Sequence, residues 1–107
     1  MREHFEIRAK IDLYDSERGR KSYILDGYRP HIYFGYSDPT NSNFGSDCII
    51  KLIDKEKMFP GESAIVRILV LRYEHLILLL DENVKLKIKE GTKYIGEGII
   101  TKKIGIR

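Results

Sequence analysis

From Phe5 to Leu13 apolar and charged residues alternate one for one, with Phe5, Ile7, Ala9, Ile11 and Leu13 set against Glu6, Arg8, Lys10 and Asp12. In an extended chain successive side chains point to opposite faces, so this order gives one apolar and one charged side. A helix would scatter both types around its circumference. The same sorting returns at Val84, Leu86 and Ile88 against Lys85, Lys87 and Lys89. Strands with one wet face belong to antiparallel sheets. Further strands are predicted at 29–36, 47–53, 64–71 and 76–80, and from Tyr94 to about Lys103. No segment shows a 3.6-residue rhythm, so the chain is predicted to be all-β. A small antiparallel set removes its exposed edges best by closing into a barrel.

The punctuation between these segments agrees. Residues 15–21 form a charged connection containing Gly19, residues 37–46 are rich in Ser, Asn, Gly and Pro, and Asp81-Glu82-Asn83 is a turn signal. Pro60-Gly61 suits the centre of a type II turn, where Pro presets the first φ and Gly accepts the positive second one. In Gly27-Tyr28-Arg29-Pro30 the proline forces Arg29 into an extended conformation and cannot donate to a ladder, so this motif enters a strand from a turn. Its Arg29 is expected to tie loops together by hydrogen bonds. Gly96 and Gly98 fall inside a predicted strand, where glycine packs poorly, and point to a bulge or bend at a barrel corner.

With 107 residues, 42% of them apolar, residues 1–107 read as one domain with a modest core. The single Cys48 excludes an internal disulfide and fits a reducing, cytoplasmic setting. The N-terminus carries no apolar leader, and the most apolar stretch, residues 64–80, is interrupted by Arg67, Arg72 and Glu74, so no membrane association is expected. Nineteen basic against sixteen acidic residues permit an acidic partner without making a basic clamp.

Catalytic machinery is not visible. The phosphate-binding Gly-x-x-x-x-Gly-Lys-Ser/Thr loop and the Gly-x-Ser-x-Gly elbow are both missing, so neither nucleotide binding by this domain alone nor acyl transfer has an apparatus. His4, His31 and His75 are scattered, with no metal-ligand spacing, and Cys48 reads as a core thiol. The chain is read as a non-enzyme with no cofactor and no metal. Binding is what remains.

Three landmarks occur in one order: Gly27-Tyr28-Arg29-Pro30 leading into His31-Ile32-Tyr33-Phe34, then Met58-Phe59-Pro60-Gly61, then the run from Lys89-Glu90-Gly91-Thr92-Lys93 to Gly98. Together they resemble the third, C-terminal domain of translation elongation factor Tu, over a stretch from Phe5 to about Lys102. The resemblance implies a closed six-stranded antiparallel β-barrel with Greek-key character, the same architecture that edge avoidance favours. The GTPase and middle domains of that family have no counterpart here, so its GTPase activity does not transfer. Met1 and Arg107 bracket the similar region closely, and the chain reads equally well as a whole small protein or as one domain of a larger factor.

In that family the third domain grips the backbone of a tRNA stem. By resemblance the gripping positions fall on His31, Thr40, Glu90 and Gly91, with the family's nearby basic side chains echoed by Lys89 and Lys93. His31 departs in residue type, and lysine does not offer arginine's bidentate fork to phosphate. The segments 40–60 and 61–89 are longer than the family pattern. Two function classes follow: a translation-related module contacting tRNA or another structured RNA, and a barrel that docks a translation factor or other protein. Tyr28, Tyr33, Tyr36, Phe44 and Phe59 supply aromatics for the second. A contiguous positive patch at Lys89 to Lys93 favours RNA, whereas an exposed apolar one favours protein.

Overall fold

The alternating segment forms β1 (Phe5–Leu13), whose five apolar side chains are all buried. In the computed structural model, which describes residues 3–35 and 44–107, the chain continues through β2 (Ile24–Leu25), β3 (His31–Phe34), β4 (Gly45–Leu52) and β5 (Lys57–Met58). It ends with β6 (Ser63–Val70), a 3-10 turn at Glu74–Leu76, β7 (Lys85–Glu90) and β8 (Lys93–Ile106). Six strands close a barrel in the order β1-β6-β4-β3-β7-β8, with β8 returning to β1. Every neighbouring pair is antiparallel. Strands β3, β4 and β6 are successive neighbours while β1 lies beside β6, which is a Greek key. β2 and β5 pair with each other outside the barrel.

The inward positions are those that the period-two rhythm selects. Ile32 and Phe34 from β3, Cys48 and Ile50 from β4, Val66, Ile68 and Val70 from β6, and Leu86 and Ile88 from β7 meet the apolar face of β1. Burying each such aliphatic or aromatic side chain contributes about 1.5–3 kcal/mol. Cys48 is fully buried, and burial pushes its thiol well above its usual pKa. No helix is long and apolar enough to cross a membrane among the described residues.

The 76–80 segment is not a strand. Leu76 N–H donates to the Tyr73 carbonyl at 2.8 Å, and Leu79 and Leu80 N–H both donate to the Leu76 carbonyl. Tyr73, Leu76 and Leu80 are buried while Ile77 and Leu78 are exposed. That is the spacing of a helical turn, concealed within an unbroken apolar run.

The turns follow their residue chemistry. Glu62 N–H donates to the Phe59 carbonyl at 3.1 Å across Pro60-Gly61, and Gly61 has φ +85°, as a type II turn requires. Gly91, at φ +61°, opens a two-residue hairpin between β7 and β8 in the manner of a type II′ turn. Tyr28 bridges to Ile50, and the Pro30 carbonyl accepts from Cys48 N–H at 3.0 Å, so the Gly27–Pro30 motif runs alongside β4 before β3 begins. Arg29 is exposed and makes no hydrogen bond with a described residue. The tying role falls instead to Arg20.

Gly96 and Gly98 serve close approach. Each stands opposite an inward residue of β1, Leu13 and Ile11. A Cβ at Gly98 would lie 2.4 Å from the Lys10 carbonyl oxygen, and one at Gly96 2.8 Å from that of Asp12. One register slip adjoins Gly96, between Ile88 and Lys89 along β7, so a bulge and bare backbone meet there; two further slips lie farther along the β1–β8 pair. Gly98→Ala should therefore lower stability by about 1–3 kcal/mol in urea unfolding through overpacking. Gly27→Ala, at φ +89° with open space around it, should cost about 1 kcal/mol from backbone strain alone. A smaller loss at Gly98 than at Gly27 would contradict the close-approach account.

On the outer surface Glu6 accepts two bonds from Arg67, from Nε at 2.8 Å and Nη2 at 3.1 Å. The Arg67 hydrogen bonds hold the Glu6 carboxyl below its usual range, against an opposing push from burial. A depressed carboxylate binds fewer protons folded than unfolded, so its contribution is complete above the ordinary carboxylate pKa and is lost as pH falls through the folded value. Glu6→Gln should accordingly be less stable than the parent at pH 7. The two urea midpoints should converge as pH falls below the ordinary carboxylate range; a constant gap would rule out the ion pair as its origin.

Candidate nucleic-acid interface

The outer faces of β4, β3, β7 and β8 carry an aromatic and cationic cluster whose order is fixed by strand register. One cross-strand row reads Asp47, His31, Lys89, Tyr94, and the next reads Gly45, Tyr33, Lys87, Glu97. Residues opposite one another in a sheet share a face, so Lys85, Lys87 and Lys89 form a file along β7 flanked by the two tyrosines. Lys89 Nζ lies 5.7 Å from the Tyr33 ring centre and 5.6 Å from that of Tyr94, and Lys87 Nζ lies 5.5 Å from Tyr94. These are cation–π distances.

His31 is oriented by two neighbours. Its Nδ1 donates to Asp47 Oδ1 at 3.0 Å, and its ring meets Tyr33 edge-on at 5.0 Å. Both rings lean over Gly45: a Cβ there would stand 2.7 Å from His31 Nε2 and 2.8 Å from the Tyr33 ring. The bare backbone of β4 is what leaves room for the two rings. Tyr14 donates its hydroxyl to Glu97 Oε1 at 2.8 Å, and its phenol is pushed up to about 12 by burial and then by that carboxylate.

The residues assigned by resemblance divide into three groups. His31 and Lys89 are register partners inside the cluster. Gly91 and Lys93 are exposed at and beside the β7–β8 hairpin, at the end of the lysine file. Glu90 is already engaged. Its carboxylate accepts from both Arg20 Nη1 and the Tyr28 hydroxyl, and Arg20 further donates to the Ser22 and Tyr23 carbonyls. Burial and then Glu90 raise the Tyr28 phenol far above its usual value. This network fastens the hairpin to residues 20–28, so Glu90 positions the hairpin from beneath. Thr40 and Tyr36 lie outside the described residues.

The sequence did not single out Tyr94, Lys85, Lys87 and Gly45 as members of this cluster, and Tyr33 stood there among the aromatics of the protein-docking alternative. The signal was available in the Lys85-Lys87-Lys89 alternation, but the partner strand across which Tyr33 and Tyr94 meet it is a matter of topology. Acidic residues are few within the cluster and are occupied: Asp47 by His31, Glu97 by Tyr14 and Glu90 by Arg20.

Large apolar residues are also exposed, and one group borders this face: His75, two residues before Ile77, donates from Nε2 to the Gly45 carbonyl at 3.1 Å. Leu78 is 92% exposed beside Ile77 in the β6–β7 connection, and Leu25 and Phe59 are half-exposed. Among the described residues no cluster of His, Cys, Asp and Glu is arranged to hold a metal ion. No protein-family model matches the chain.

Arg20→Ala should lower stability by up to about 1 kcal/mol, since the ion pair is partly exposed. Its distinguishing effect should be local: amide exchange at Gly91 and Thr92 speeds up while the β1–β6 amides keep their protection. Unchanged hairpin exchange would show that the Arg20 network does not hold it.

Proposed function

We propose that this barrel is a non-catalytic RNA-binding module that holds a structured, tRNA-like stem by its backbone, in a translation-related and intracellular setting. The observation that carries the reading is the lysine file of β7 flanked by Tyr33 and Tyr94 and continued by His31 and Lys93. Lysines supply point charges for phosphates, and the glycine-led hairpin presents backbone amides beside them. Tyrosine faces add a stacking surface where a base leaves the helix. The resemblance to the elongation factor Tu third domain points to the same side of the barrel through His31, Lys89, Gly91 and Lys93. A protein-docking role is the second reading, favoured by the exposed Ile77-Leu78 pair.

Fluorescence titration of the intact chain with a labelled tRNA-like stem at low salt is the test. Binding should be micromolar or weaker and should fade steeply with salt, with a preference for the stem over an unstructured strand of equal length. Lys87→Ala/Lys89→Ala should reduce affinity at least tenfold and make the salt slope shallower by about 1.4–1.8, the equivalent of two lost phosphate contacts. Equal binding to both RNAs, or a slope that the double variant leaves unchanged, would remove the RNA reading and leave protein docking in front.

A further inference from the structure

A second cationic surface lies on the other side of β8, and register defines it as firmly as the first. Lys51 stands opposite Arg67, Arg67 opposite Arg8, and Arg8 opposite Lys102, so one cross-strand row on β4, β6, β1 and β8 holds four cations in succession. At about 4.8 Å between strands this row extends about 14 Å. The adjacent row reads Ile65, Lys10, Ile99, Lys85. Neither row contains an acidic residue.

Like charges placed directly opposite one another destabilise a sheet. The relief available here is partial. Lys51 reaches Asp26 at 3.4 Å and Arg67 is paired with Glu6 from the neighbouring row, whereas Arg8, Lys10 and Lys102 are exposed and make no ion pair with a described residue. A fold that tolerates such a row gains if a polyanion lies over it. Lys85 belongs both to this band and to the β7 file, so the cations run without an acidic interruption from the aromatic face to Arg8.

We infer that the RNA track continues round the barrel: past the stem-binding face it follows Lys85 onto Lys10, Lys102 and Arg8, where a single-stranded extension of the same RNA lays its phosphates. This rests on the RNA reading above and adds to it the length and form of the ligand. The guanidinium of Arg8 supplies the bidentate phosphate contact that lysines on the first face do not. An acidic protein is a poorer match, because protein interfaces deplete charge at their centre and this band has its cations there.

The test uses two labelled RNAs, a short stem and the same stem carrying a single-stranded tail, with the parent, Arg8→Ala/Lys102→Ala and Lys87→Ala/Lys89→Ala chains. The tail should tighten binding to the parent. Arg8→Ala/Lys102→Ala should abolish that gain and make the salt slope for the tailed RNA shallower by about 1.4, while short-stem binding stays unchanged. Its melting temperature should hold or rise, since repulsion is removed; Lys10→Ala provides a second variant with the same expected selectivity. A tail without effect on the parent, or equal losses on both RNAs, would overturn the inference while leaving the stem-binding reading in place. Failure of the parent to bind either RNA, including a case where it adsorbs to anionic phosphatidylserine vesicles instead, would overturn both.

Discussion

Closure of the barrel depends on how near β8 can come to β1. The two strands pair along the whole of β1 with two register slips, and at Gly98 and Gly96 the separation leaves no room for a side chain against the carbonyls of Lys10 and Asp12. Without that approach the sheet would end in two open edges, each a row of unpaired backbone groups. The fourteen-residue length of β8 lets it serve both neighbours at once, pairing with β7 through its first half and with β1 along most of its course. The core is therefore sealed by a strand whose interior face is partly bare backbone. The exterior face of that same strand joins the two charged surfaces.

Charge on the outside is arranged by the same geometry. Around the β7 file each acidic group is matched to a particular donor: Asp47 to His31, Glu97 to Tyr14 and Glu90 to Arg20. The matching leaves a field dominated by lysine although the whole chain carries a formal charge of only +3. Net charge is a poor guide to such a surface, because it averages over faces that a ligand meets one at a time. Glu90 illustrates the difference between occupying a site and building it. Its carboxylate accepts from Arg20 and Tyr28 and so ties the hairpin to residues 20–28.

Much of the barrel was legible in the residues. The β1 alternation, the Pro60-Gly61 turn and the glycines of β8 each carry a local signal with one reading, since side-chain direction, φ and lack of a Cβ are properties of single positions. The 76–80 run was misread because four consecutive aliphatic residues after Leu76 conceal whether the buried spacing is two or three to four. The short β2–β5 pair was missed because two residues are too few to show any period. The tying role expected of Arg29 falls to Arg20 for a reason of reach: Arg20 meets Glu90 across seventy residues of chain, a distance that no local pattern encodes. The candidate interface was half legible. The lysine file could be read along β7, but its flanking tyrosines come from strands on either side.

The regularity of the scaffold sets what this surface can recognise. Along a strand, side chains on one face recur about every 6.6–6.8 Å, and across strands they recur about every 4.8 Å. Cations placed on such a grid keep their spacing without support from long loops, so little ordering entropy is lost when a regular polyanion settles on them. Phosphate contacts of this type position a ligand and carry no base information. Selectivity must then come from shape: a duplex presents phosphates in a fixed curve, and a flexible strand must be held in one. The rings of His31 and Tyr33, edge-on to each other beside Gly45, add an aromatic element to the cations. Under the proposed RNA-binding role, an RNA that pairs along its stem and exposes a base beside these rings would satisfy both the charges and the rings, whereas an unbroken duplex would satisfy only the charges.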